Sequence, residues 1–189
     1  KTTLANQICD HVGRDRAILY VSSEDTPMAL LSKTIARRST IEYSAVLRGY
    51  DSERDRIEAA FTEYRSQRQV ENIRYVDATQ GISLQDIVEQ AEEHFSALKD
   101  KTAGDPIIVV DYLQRLCRAE DMLMRQKGGS LGMDARQAAT VYTERLRALA
   151  CDLHCTVICL SAMSRASGYS NTSSNLLSAA KESGDIEYT

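Results

Sequence analysis

Four short apolar runs constrain the fold of this chain more than any other feature. They are Ala17–Val21 (AILYV), Ile73–Val76 (IRYV), Ile107–Val110 (IIVV) and Val157–Leu160 (VICL). Turn or charge signals flank each run, and their length and Val/Ile content are those of strands buried on both faces. Between them lie segments of helical period. Leu84, Ile87, Val88, Ala91, Phe95 and Leu98 recur at helical spacing, with Ser83 as N-cap and Asp86 three residues on. Ala135, Ala138, Ala139, Tyr142, Leu146, Leu149, Ala150 and Leu153 mark a second long amphipathic helix. Thr26-Pro27 is a cap followed by Pro at the first helical position. Ile57, Ala60, Phe61 and Tyr64 mark a further helix after Asp51. Strands alternating with helices predict an α/β fold, a mostly parallel sheet with helices on both faces.

At 189 residues the chain has the length of one domain, enough to bury a substantial core. No run approaches the ~18 apolar residues of a membrane span, and no secretory signal pattern is present. The 23 Lys+Arg and 27 Asp+Glu leave a net charge of −4, which argues against a freestanding, highly basic nucleic-acid binder while permitting a local basic patch. Five cysteines without framework spacing imply reduced thiols and a cytoplasmic location.

Two stretches fit neither period. Ala119–Met133 carries Gly128, Gly129 and Gly132, and Ser164–Asn175 is almost all small and polar. Both are expected to be mobile loops. Each follows a predicted strand, and ligands of open α/β sheets bind outside the carboxyl ends of the strands.

Three features in chain order point to chemistry. Lys1-Thr2-Thr3 opens a helix, as the end of a phosphate-binding loop does: lysine reaches the phosphates and the hydroxyl holds Mg²⁺. Taken alone, the tripeptide is no more than a basic terminus. Asp111 ends an apolar strand, where nucleotide hydrolases hold Mg²⁺ through water; a loop-capping aspartate explains that feature equally well. Glu24, four residues past Tyr20, can orient an attacking water, although most loop acids are merely solvated. Other constellations are weaker. Cys151, Cys155 and Cys159 with His154 match no usual zinc spacing and are expected to be buried structural thiols. His11, His94 and His154 lack a nucleophile elbow, and no G-x-G-x-x-G follows a strand.

The segments KTTLANQIC, LYVSSEDTPMALLSKTIARRS, IIVVDYLQRL, ERLRALACDLHCTVICLSAMSRAS and AAKESGDIEYT together resemble the ordered motifs of the ATPase domain of DnaB-type replicative helicases, in the RecA-like superfamily. The helicase part of phage- or plasmid-type primase–helicases is resembled equally. The likeness runs from residue 1 to residue 189 as one domain and is most specific in VVDYLQRL and KESGDIE. It implies a RecA-like P-loop core that hydrolyses ATP with Mg²⁺, acts on single-stranded DNA and assembles as a hexamer, with a primase domain or protein as a further partner. By the resemblance, Lys1 and Thr2 bind nucleotide, Thr2 and Asp111 bind the metal, and Glu24 is catalytic. Arg165, in the second loop, and Lys181, where the family usually has Arg, are implied DNA contacts.

The sequence also departs from the family. Ala162 stands where Gln or His usually senses the γ-phosphate, which leaves open a RecA- or KaiC-like switch that binds nucleotide to oligomerise without unwinding. The resemblance further implies a strand and a glycine-rich turn before Lys1 and an arginine finger beyond Thr189. The 189 residues are therefore expected to be a piece of a longer chain.

Overall fold

In a computed structural model, residues 1–161 are described, apart from 50, 127, 130 and 131. The four apolar runs form strands β1 (Ile18–Ser22), β2 (Ile73–Asp77), β3 (Ile107–Asp111) and β4 (Thr156–Leu160). All pairings are parallel, in the order β2-β1-β3-β4. The central strands β1 and β3 are buried at every residue. β2 and β4 are not buried on both faces as expected. Each lies at an edge of the four-stranded sheet and is partly exposed, from Arg74 and Tyr75 in β2 to Thr156 and Cys159 in β4.

Eight α-helices run between the strands among the described residues: α1 (Thr2–Val12), α2 (Pro27–Ser39), α3 (Tyr43–Arg48), α4 (Arg54–Arg65), α5 (Gln69–Asn72), α6 (Leu84–Leu98), α7 (Leu113–Gln126) and α8 (Ala135–Asp152). Strand residues alternate between the two faces of a sheet, and here the alternation sorts the core into layers. Ile18, Tyr20, Ile107 and Val109 pack on one side with Ala5 and Cys9 of α1 and Leu30 of α2. Leu19, Val21, Ile108 and Val110 pack on the other with α6, α7 and α8. A satellite cluster joins α2, α3 and α4 through Ile35, Val46, Ile57 and Tyr64.

Local chemistry sets the helix ends. Thr26 caps α2 by accepting the Ala29 N–H at 3.3 Å, with Pro27 behind it. Ser83 and Asp86 form a reciprocal capping box at α6, and Asp134 and Gln137 form another at α8. Such a cap satisfies backbone donors the helix cannot pair itself. Ser83→Ala is expected to cost about 1 kcal/mol, read as a lowered urea midpoint with unchanged slope; an unchanged midpoint would mean the box contributes nothing. Gly13 closes α1 where the chain passes β2. A Cβ there would lie 2.7 Å from Ile73 Cγ1 and 2.8 Å from the Cys9 carbonyl, so the close approach requires glycine.

Two further expectations are corrected. Ala119–Met133 is not a loop throughout, because α7 continues to Gln126. The residues from Ala119 to Gln126 are mostly strong helix formers, and Leu113, Leu116 and Cys117 bury its first turns. The three glycines all lie beyond the helix end. The thiols also differ from expectation: Cys9 and Cys117 are buried, Cys155 is intermediate, and Cys151 and Cys159 are exposed. Cys151 sits near the end of α8 and Cys159 on β4, an edge strand among the described residues.

Candidate active site

The sheet register brings the chemistry-bearing residues to one edge. Ser22, the last residue of β1, pairs with Asp111, the last residue of β3, and Asp111 pairs with Leu160 of β4. Ser22 also pairs with Asp77 of β2, so all four strands end level, and β1, β3 and β4 are followed by Ser23-Glu24, Tyr112 and Ser161. Lys1 sits at the start of α1, and its Nζ donates to the Ser161 carbonyl. The N-terminus of α1 carries no acidic residue in its first turn. A helix N-terminus favours anions through its free N–H groups and dipole.

Asp111 follows Ile107 and Val109 on the face that packs against α1. It is 2% exposed, and the fully buried Tyr20 donates its Oη to Asp111 Oδ2 at 2.9 Å. Burial, reinforced by the Asp111 charge, raises the Tyr20 phenol far above its ordinary range, so it stays a donor. Asp111 Oδ1 receives no hydrogen bond from the described residues. One oxygen is thus held by Tyr20.

Glu24 is exposed at the tip of a braced turn. The Ser23 N–H donates to the Asp111 carbonyl at 2.6 Å, and Arg115 of α7 donates to the Ser23 carbonyl. The Asp25 N–H donates to Ser22 Oγ at 3.1 Å, and Asp25 pairs with Lys33 of α2 at 2.6 Å. The backbone beside Glu24 is tied directly to Asp111. Gln114 donates to Ser161 Oγ at 2.6 Å, joining the start of α7 to the end of β4.

The donor set suits Mg²⁺. No cluster of three or more His, Cys, Asp or Glu side chains exists among the described residues, so a cage for a softer or larger cation is not formed there. Mg²⁺ needs no such cage, because it uses one or two carboxylates, waters and substrate phosphates. Asp111 supplies a hard carboxylate oxygen, and Thr2 and Ser22 carry hydroxyls near this edge.

Over residues 1–189 the sequence matches the DnaB-like helicase C terminal domain. The chain belongs to this family. No curated protein matches it. The DnaB-like domain superposes on a solved structure described as an ATPase domain with a TM-score of 0.77 at 21% identity, covering 99% of this chain and 61% of that one. A solved DnaB-like replicative helicase, described with its interactions with primase, gives a TM-score of 0.74 at 21% identity, covering 98% of this chain and 41% of that one. The chain thus spans less than two thirds of either structure's length. The RecA-like α/β architecture expected from the motifs is the fold found.

Of the site residues expected for this DnaB-like domain, Lys1, Glu24 and Asp111 lie at one sheet edge, and Thr2 begins the helix above it. Ala162, Arg165, Lys181 and the Ser164–Asn175 stretch lie outside the described residues. Sequence reasoning missed Tyr20, Ser22, Gln114, Arg115 and Ser161. Tyr20 and Ser22 share the face of Asp111 only through the pairing of β1 with β3, which no local pattern specifies.

Proposed function

We propose that residues 1–189 form one RecA-like domain that acts as the ATP-hydrolysing motor of a replicative DNA helicase. The observation that carries this reading is the level ending of β1, β3 and β4 beneath the N-terminus of α1, which gathers Lys1, the Glu24 turn and Asp111 at one edge of a DnaB-like domain. The Lys1 ammonium neutralises charge that develops on the transferred phosphoryl group. Thr2, through its hydroxyl, and Asp111, through its carboxylate, would hold Mg²⁺. When bound, the metal contributes electrostatic stabilisation of the phosphates. Glu24 is exposed enough to contact a water and accepts a hydrogen bond from it, orienting its attack in line with the leaving oxygen.

Family membership supports the wider assignments. Single-stranded DNA is the polymer, with Arg165 and Lys181 as its contacts. The net charge of −4 is compatible with this, because single strands are held by local basic grooves and stacking. The assembly is a hexameric ring that meets a primase domain or protein. No helix among the described residues is long and apolar enough to cross a membrane, and the proposed location is the cytoplasm.

Steady-state ATP hydrolysis by the full-length protein, with and without single-stranded DNA, tests the reading. Hydrolysis that rises on DNA addition is the expected result. ATP binding and oligomerisation without DNA stimulation would favour the switch, and absence of any ATP binding would remove the nucleotide site.

A further inference from the structure

We propose that Tyr20 is a positioning residue for metal binding: its phenol fixes the Asp111 carboxylate so that Oδ1 faces the magnesium position. The inference rests on the metal role of Asp111 proposed above. Tyr20 and Asp111 lie on adjacent strands, and Tyr20 is register partner to Val109, two residues before Asp111. Both side chains therefore share the face covered by α1. The geometry is specific. The donor is fully buried, the acceptor is 2% exposed, and they meet at 2.9 Å. An aspartate has two equivalent oxygens and a broad χ2 torsion, so without a donor either oxygen can turn toward the ligand or away from it. The phenol removes that freedom by claiming Oδ2. Oδ1 receives no hydrogen bond from the described residues and is the oxygen left to act.

The rest of the tyrosine is held independently of this bond. Its ring packs against Tyr75, with centroids 5.6 Å apart, in a buried cluster that includes Ala5 and Cys9 of α1. Tyr20→Phe therefore deletes the oxygen and keeps the packing. Partners behind a metal ligand orient it, and losing one typically costs about 10–100-fold in metal affinity.

The test uses Mn²⁺ as the probe, added to the full-length protein saturated with a non-hydrolysable ATP analogue, with free Mn²⁺ read by its electron paramagnetic resonance signal. Asp111→Asn establishes the loss due to the carboxylate itself. Tyr20→Phe is expected to weaken Mn²⁺ binding about 10-fold or more, while nucleotide affinity in the presence of a chelator stays that of the wild type and melting remains one cooperative transition at a lowered midpoint, because a buried carboxylate oxygen loses its donor. In the Asp111→Asn background, Tyr20→Phe is expected to add no further loss, because both act through one carboxylate. Mn²⁺ affinity unchanged in Tyr20→Phe but reduced in Asp111→Asn overturns the role of Tyr20 and leaves the metal site standing. Losses that simply add also overturn it. Mn²⁺ affinity unchanged in Asp111→Asn overturns the metal site itself. A measurement on the unaltered chain guards against a misfolded variant. With ¹³C-labelled tyrosine, the Tyr20 Cζ resonance is expected to move when Mg²⁺ joins the nucleotide complex, and a stationary resonance counts against the proposal.

Discussion

Glu24→Gln is expected to lower ATP turnover by about 10²–10⁴-fold, the loss for a positioned base, and to leave ATP binding intact. Glutamine keeps the shape and hydrogen-bonding reach of the side chain but removes the charge that orients and accepts a proton from water. The turn itself will not collapse. It is held by Ser23 to Asp111 and by Arg115 to Ser23, and none of these bonds uses the Glu24 side chain. The proposed nucleotide contacts lie on the other side of the site, at Lys1 and the start of α1, so binding and turnover are expected to separate. Steady-state hydrolysis alongside titration with a fluorescent ATP analogue measures both. If Glu24 is only an exposed loop acid, its replacement falls within about ±0.5 kcal/mol of stability and turnover does not change. That outcome would leave Asp111 as the one acidic group with a place in the mechanism.

Arg38→Ala is expected to destabilise the fold by about 3 kcal/mol. The buried Asp10 of α1 accepts Arg38 Nη2 at 2.8 Å and Arg38 Nε at 3.2 Å, and it also pairs with Arg37. Arg38 is further fixed by Gln67 at 2.7 Å and by the Tyr64 ring, 5.0 Å away. Removing Arg38 strands a buried carboxylate whose remaining partners are Arg37, 38% exposed and screened by solvent, and the neutral amide of Gln69 at 3.5 Å. The effect therefore belongs at the low end of the range for breaking a buried pair.

The pH dependence has a definite sign. Burial opposes ionisation of Asp10, but the hydrogen bonds and charges of Arg38, then of Arg37, outweigh it and hold the carboxyl below its ordinary 3.8. A depressed carboxylate contributes stability that is present above its unfolded value and lost as pH falls through its folded one. The gap between wild type and Arg38→Ala should thus be full near neutrality and shrink below 3.8. Urea melts at both ends measure it. A constant gap would assign the loss to packing on Tyr64 rather than to the ion pair.

Much of this architecture was legible in the residues because its strands are short, apolar and bounded, and its helices carry side-chain caps. The boxes at Ser83 and Asp134 and the Thr26-Pro27 start are local chemistry, readable without tertiary knowledge. The full length of α7 was not, since Gly128, Gly129 and Gly132 dominated a window whose first half is helix-forming. The exposure of Cys151 and Cys159 was also hidden, because exposure depends on which strand lies at the sheet edge, and strand order is a tertiary fact. In the candidate site, Lys1, Glu24 and Asp111 were visible as residue types at element ends. Tyr20 was not, for inside the run AILYV it reads as one more apolar strand residue. Its hydroxyl gains meaning only once β1 lies beside β3. The buried Asp10 pair was invisible for the same reason, joining helices whose approach no local pattern specifies.

The parallel register also governs how the chain assembles. Ile18 meets Ile73 and Ile107, and Ile107 meets Thr156, so every ladder joins segments separated by at least one helix. No hairpin exists among these strands to nucleate the sheet, and each pairing must first close a long loop. Refolding from denaturant will therefore be slower than for a helical bundle of equal length. While it waits, the Val- and Ile-rich β3 stays exposed to other copies. Dilute protein and low temperature will raise the yield of native chains, since aggregation scales with concentration and closure of the sheet does not.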